Sequence, residues 1–119
     1  MSGRRSQAKG ANGERELAAI LRGCGYDIQR GGSLSFGKEP DLSGLPGVHI
    51  ECKRAETLRL SEWMAQAERD AQRFQDGAPT IFFRRSREPW MVCMKLEDWL
   101  SVYQRQKTAK TGGESDIDP

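Results

Sequence analysis

Histidine is almost missing from this chain: His49 stands alone among 119 residues. Cysteine is scarce as well. Cys24, Cys52 and Cys93 are odd in number and lack metal-ligand spacing, which argues against a disulfide framework or a zinc site and reads as reduced, mostly buried thiols. No apolar run approaches the roughly 18 residues that cross a bilayer, and no signal peptide opens the chain. A cytoplasmic protein without a membrane partner is therefore expected. An excess of one charge is also lacking. Nineteen basic and seventeen acidic residues leave a net +2, which alone does not mark a nucleic-acid binder. Arginine nevertheless outnumbers lysine, and its planar fork suits phosphate. What is present is 36% hydrophobic and 30% charged residues, enough for one soluble domain with a single core.

Periodicity divides the chain into elements. Residues 1–11 form a small, basic arm, read as flexible. A helix is expected from about Asn12, as N-cap, to Arg22, with Gly23 and Gly25 ending it. Its stripe of Glu14, Leu17, Ala18 and Leu21 puts a carboxylate among apolar neighbours, which is costly unless that acid is paired or holds a cation. The other reading places Glu14 at the rim of the first turn, favoured there by the helix dipole. Arg15 lies off the stripe and could reach a phosphate. Tyr26–Arg30 reads as a strand leading into a glycine- and serine-rich loop that contains Ser33, a phosphate contact or simply a loop residue. After the exposed Arg54 and Arg59, a second helix runs from Ser61, as N-cap, to Phe74 or Gln75. Its core stripe is Leu60, Trp63, Met64, Ala67, Ala71 and Phe74, while Gln66, Arg69 and Arg73 could line a groove. Pro79–Arg85 and Trp90–Met94 are strands, the first buried on both faces. Arg84, Arg85 and Arg87 cluster in their hairpin, either as a solvated turn or as phosphate contacts. Leu96, Trp99, Leu100 and Tyr103 stripe a last helix as core or dimer contacts, and residues 106–119 read as a disordered polar tail.

The stretch that carries chemistry is Pro40-Asp41 followed by Glu51-Cys52-Lys53. Gly44-Leu45-Pro46-Gly47 between them is turn chemistry. Val48–Lys53 alternates, so Val48, Ile50 and Cys52 take one face and His49, Glu51 and Lys53 the other. Glu51 and Lys53 then lie about 7 Å apart along a strand rising roughly 3.3 Å per residue. An Asp from the adjoining strand would add a second carboxylate for a hard cation such as Mg²⁺. Such a group suits metal-assisted phosphodiester hydrolysis, with Lys53 orienting the water or neutralising charge. The plain alternative is a surface Glu–Lys pair.

Gly13-Glu14-Arg15-Glu16-Leu17, Gly25-Tyr26-Asp27-Ile28-Gln29-Arg30, Gly32-Ser33, Pro40-Asp41 and Glu51-Cys52-Lys53, in that order, resemble the archaeal-type Holliday-junction resolvases. They are still more similar to the small resolvase-like nucleases of bacteriophages and prophages, all within the PD-(D/E)xK superfamily. The likeness runs from about Lys9 to Tyr103. It implies an α/β, restriction-endonuclease-like core over residues 12–105, with a central mixed sheet of about five strands in the order α-β-β-β-α-β-β-α. Glu14, Asp41, Glu51 and Lys53 match the family's catalytic positions. Asp41, Glu51 and the Cys52 carbonyl would bind Mg²⁺ or Mn²⁺, with Glu14 acting on the metal or its water. Arg15, Arg30 and Ser33 match positions that contact DNA; Arg54, Gln66, Arg84, Arg85 and Arg87 join them as DNA-binding candidates from the reading of their elements. The resemblance also implies a homodimer that nicks opposed strands of a four-way or other branched DNA in a bacterial host cell. The connection Gly31–Glu39 is longer than in the shortest archaeal members. A nuclease acting on flap, single-stranded or duplex DNA, and a non-catalytic DNA-binding module, are the other readings.

Overall fold

The computed structural model describes residues 2–31 and 39–113, with side chains over 10–31 and 39–107. Ser33 falls outside them. The elements are α1 (Ser2–Gly23), β1 (Gln29–Arg30), β2 (Leu42–Ser43), β3 (Val48–Arg54), α2 (Leu60–Phe74), β4 (Ala78–Arg84), β5 (Met91–Met94) and α3 (Leu96–Gly113). Their order is the one expected from the sequence, and the class is α/β.

Strands β3, β4 and β5 form a mixed sheet. β3 and β4 run parallel in a register from Val48↔Ala78 to Arg54↔Arg84, and β5 returns antiparallel to β4. Parallel neighbours need a crossover, and α2 supplies it. The alternation of β3 sorts the core into two layers. On one face Ile50 packs with Leu17 and Ala18 of α1, Ile28, Leu42 of β2 and Phe82, flanked by Val48 and Cys52. On the other, Ile81 and Phe83 meet Trp63 and Ala67 of α2, with the Trp63 and Phe83 rings 6.0 Å apart. Ile81, Phe82 and Phe83 are all buried, as their unbroken apolar run foretold.

Several expectations are corrected. The five strands do not form one sheet: among the described residues β1 and β2 pair with each other, antiparallel, and no ladder joins β2 to β3. Asp41 thus enters from a separate two-stranded ribbon. β1 is only two residues long, and just ahead of it Arg22 donates to the Ile28 carbonyl through Nε and Nη2 at 3.0 and 2.7 Å. Asn12 is not an N-cap, since α1 starts at Ser2; Gln7, Ala8 and Ala11 are good helix formers that outweigh single glycines. Glu14 is consequently mid-helix, which removes the reading that set it at a first turn. Ser61 lies inside α2, whose N-cap position is Arg59 without a side-chain cap. The backbone beyond Gln106 stays helical to Gly113. Cys24 is exposed, and Cys52 and Cys93 are half-buried, all three as free thiols.

Candidate active site

Glu51 is the pivot of the site. It sits in the middle of β3, on the face turned to α2, and is only 7% exposed. A carboxylate so placed costs several kcal/mol unless charges and hydrogen bonds compensate it. Its two oxygens have different partners. Oε1 lies 3.1 Å from His49 Nε2, and Oε2 lies 3.8 Å from Lys53 Nζ. Lys53 is itself held from α2, donating to Gln66 Oε1 at 2.7 Å. The period of two along β3 and the rotation of α2 therefore converge on one ammonium group.

Asp41 arrives just before β2. The Gly31 amide donates to its carbonyl at 3.0 Å, prolonging the β1–β2 ribbon by one bond. Asp41 and Glu51 line the same cavity, about 120 Å³ in volume, together with Glu39, Pro40, His49, Ile50, Asp70, Arg73 and Phe74. Glu14 approaches from α1. Partial burial, and then the charge of Asp41, hold its pKa above the ordinary carboxyl value, against the lowering influence of Arg30 and Arg15. Cys52 registers the same crowd of charge. Burial pushes its thiol up to about 12, and Glu14, Asp41 and Glu51 add to the rise while Lys53 opposes it. The fold thus brings the three acids and the lysine into one neighbourhood.

The arginines divide. Arg30 pairs with Glu14 at 3.4 Å, and Arg15 Nη1 donates to Asn12 Oδ1. Arg54 is half-buried, its stem against Gly13, and donates to the Arg84 carbonyl. Arg84 is committed to Glu16 at 2.8 Å and to the Glu88 carbonyl at 2.7 Å. Arg85 and Arg87 are exposed in the β4–β5 connection.

His49, Asp70 and Asp76 belong to this neighbourhood and were not singled out from the sequence. Burial alone would lower the His49 pKa, but hydrogen bonding to Glu51 and Asp76 outweighs it and the net movement is upward. A signal for Asp70 existed, because it lies one helical turn beyond Gln66 on the same face of α2.

A protein-family profile described as "Phage putative PDDEXK endonuclease" matches residues 5–116. The chain belongs to that family. The match spans almost the whole length, including the first turns of α1 and the end of α3. This PDDEXK endonuclease fold is met here as two helices enclosing a mixed sheet, with the acids where the β1–β2 ribbon abuts β3. No match was found among curated proteins. Among the described residues, no helix is long and apolar enough to cross a membrane.

Proposed function

We propose that the protein is a divalent-metal-dependent endodeoxyribonuclease that cuts branched DNA, by paired nicks at four-way junctions. The observation that carries this reading is the shared cavity of Asp41 and Glu51, with Lys53 beside Glu51 and Glu14 within the field of Asp41. The donor set fits a hard cation: crowded carboxylates, one of them disfavoured as an anion by burial and by its neighbour, are relieved by Mg²⁺ or Mn²⁺. Asp41, Glu51 and the Cys52 carbonyl would hold the ion, with Glu14 on its water. When bound, the ion supplies stabilisation of charge at phosphorus and a more acidic water.

The chain's own residues do the rest. Lys53, fixed by Gln66, points an N–H at the attacking water or a non-bridging phosphate oxygen. Glu14 accepts from the water and helps to orient it in line. Arg15, Arg85 and Arg87 contact flanking phosphates, adding salt-dependent affinity. Lys53→Met is expected to lower single-turnover cleavage roughly a hundredfold, as expected for losing one preorganised donor. Gln66→Ala, which frees the amine without removing it, is expected to cost about tenfold, or near 1.4 kcal/mol.

A second copy of the chain completes the paired cut. β5 is an edge strand that exposes Met91 and Val92, and α3 exposes Leu96, Trp99, Leu100 and Tyr103. Trp99 and Tyr103 stack at 5.3 Å. An unprotected apolar edge is a liability that a partner would cover. The native chain should run at twice 13.4 kDa in light scattering, and Val92→Glu with Trp99→Glu should run as a monomer. A wild-type monomer at micromolar concentration would remove the dimer.

Substrate choice is tested by a cleavage panel of four-way junction, flap, duplex and single strand with Mg²⁺ or Mn²⁺. Junction cleavage well above the other three is expected. Preference for a flap or single strand would replace the junction assignment while keeping the nuclease. No nicking of any substrate would leave a DNA-binding module.

A further inference from the structure

The imidazole of His49 is fully buried between carboxylates. Its Nδ1 lies 2.8 and 3.0 Å from the two oxygens of Asp76. A carboxylate anion can only accept, so Nδ1 carries a proton. Nε2 is then the atom turned to Glu51 Oε1, at 3.1 Å. Asp70, from α2, brings a third donor, and the ligand atoms of His49, Glu51 and Asp70 all lie within 4.8 Å of one another.

A neutral imidazole would set its lone pair against that of Glu51, inside the protein and away from water. A proton on the ring or on Glu51, or a metal ion, removes that repulsion. The geometry admits the ion as well as a hydrogen bond. Two ligands at right angles on a cation with bonds of about 2.1 Å are separated by about 3.0 Å, close to the spacing of Nε2 and Oε1. A carboxylate gripping the far nitrogen is also the arrangement that orients metal-binding histidines, and Asp76 provides it. Charge points the same way. Glu39, Asp41, Glu51 and Asp70 line the cavity with Arg73 as their counter-charge, leaving it negative.

We propose that His49 Nε2, Glu51 and Asp70 form a binding site for a divalent transition-metal ion, taking Mn²⁺ in preference to Mg²⁺. The imidazole nitrogen sets the preference, since Mg²⁺ favours all-oxygen surroundings. The site adjoins Asp41 and shares only Glu51 with the nuclease acids, so a cation held here would lie beside the cleavage centre. It stands on His49 and Asp70 whether or not the protein cuts DNA.

The test is Mn²⁺ binding to the untagged, metal-free full chain, read by electron spin-echo envelope modulation and by titration. Coupling to an imidazole ¹⁴N is expected, and because the chain has one histidine, that coupling can come only from His49. Asp70→Asn should weaken this Mn²⁺ site at least about tenfold. Mg²⁺ should displace Mn²⁺ from it only in more than about tenfold excess. Asp41→Asn should keep the nitrogen coupling even where it abolishes cleavage, so this site and the nuclease reading fail independently. His49→Gln should erase the coupling; should that variant not fold, the wild-type spectrum and Asp70→Asn decide the matter. Mn²⁺ bound without nitrogen coupling, or bound to Asp70→Asn as tightly as to wild type, would overturn the site. His49 would then be a protonated bridge between Asp76 and Glu51 and nothing more.

Discussion

Asp41→Asn is expected to lower metal-dependent DNA cleavage by at least about a thousandfold, equivalent to roughly 4 kcal/mol of transition-state stabilisation. Asn keeps the shape and removes the charge, and Asp41 is exposed just ahead of β2, so folding should be unaffected. Affinity for uncleaved DNA should hold or rise slightly, because a negative group has left the cavity facing the phosphates. Glu51→Gln should lose as much activity by the same logic. Its structural consequence differs, because Glu51 is buried and is a partner of both His49 and Lys53. Part of any loss in that variant could therefore come from a disturbed β3, and a thermal melt beside the assay separates the two causes. Single-turnover cleavage of a labelled junction, with binding measured in Ca²⁺, is the decisive pair of measurements. Cleavage within tenfold of wild type in Asp41→Asn would reject this acid as part of the centre.

The difference between those two acids shows what could be read from the sequence. Glu51 and Lys53 were legible because a strand has a rigid period, so Val48–Lys53 had to send them to one face. Ile81–Phe83 was legible as a strand buried on both sides, and Trp63, Ala67 and Ala71 as the inward stripe of α2. Each of these depends on neighbours within a turn or a strand. The features that could not be read depend on partners far along the chain. The chain entering β1 is fixed by Arg22, whose guanidinium reaches the Ile28 carbonyl from the end of α1. β2 joins β1 instead of β3, a choice of pairing that no local pattern specifies. α1 starts at Ser2, well before the expected cap at Asn12, because the helix formers Gln7, Ala8 and Ala11 carry it through that position. His49 was correctly assigned to the face of Glu51, yet its partners were not foreseeable. Asp76 lies beyond the end of α2, where the left-handed Gln75 (φ 51°) redirects the chain, and only that turn brings its carboxylate back to β3.

That same turn makes Gly77→Ala a strongly disruptive substitution, with an expected loss of about 3 kcal/mol and a fall of roughly 15 °C in melting temperature. Gly77 has φ 129°, where residues with a side chain are strained. A Cβ there would also overlap the Gly47 carbonyl carbon and the Val48 amide nitrogen, backbone atoms with nowhere to yield. The contact is where β3 and β4 begin their parallel register: the Ala78 amide donates to the Gly47 carbonyl at 2.9 Å, and Val48 pairs with Ala78. Pushing them apart would shift the first rungs of the ladder and move Asp76 away from His49, so the damage should reach the acidic cavity as well as stability. Gly10→Ala is the control. Nothing lies within 4 Å of its would-be Cβ, and alanine inside α1 should stabilise by up to about 1 kcal/mol. If Gly77→Ala melts within 3 °C of wild type, the close approach of these backbones does not hold the sheet in register, and the placement of His49 and Glu51 must come from elsewhere. A large fall in melting temperature with a matching loss of cleavage at permissive temperature would tie the chemistry of the cavity to one residue without a side chain.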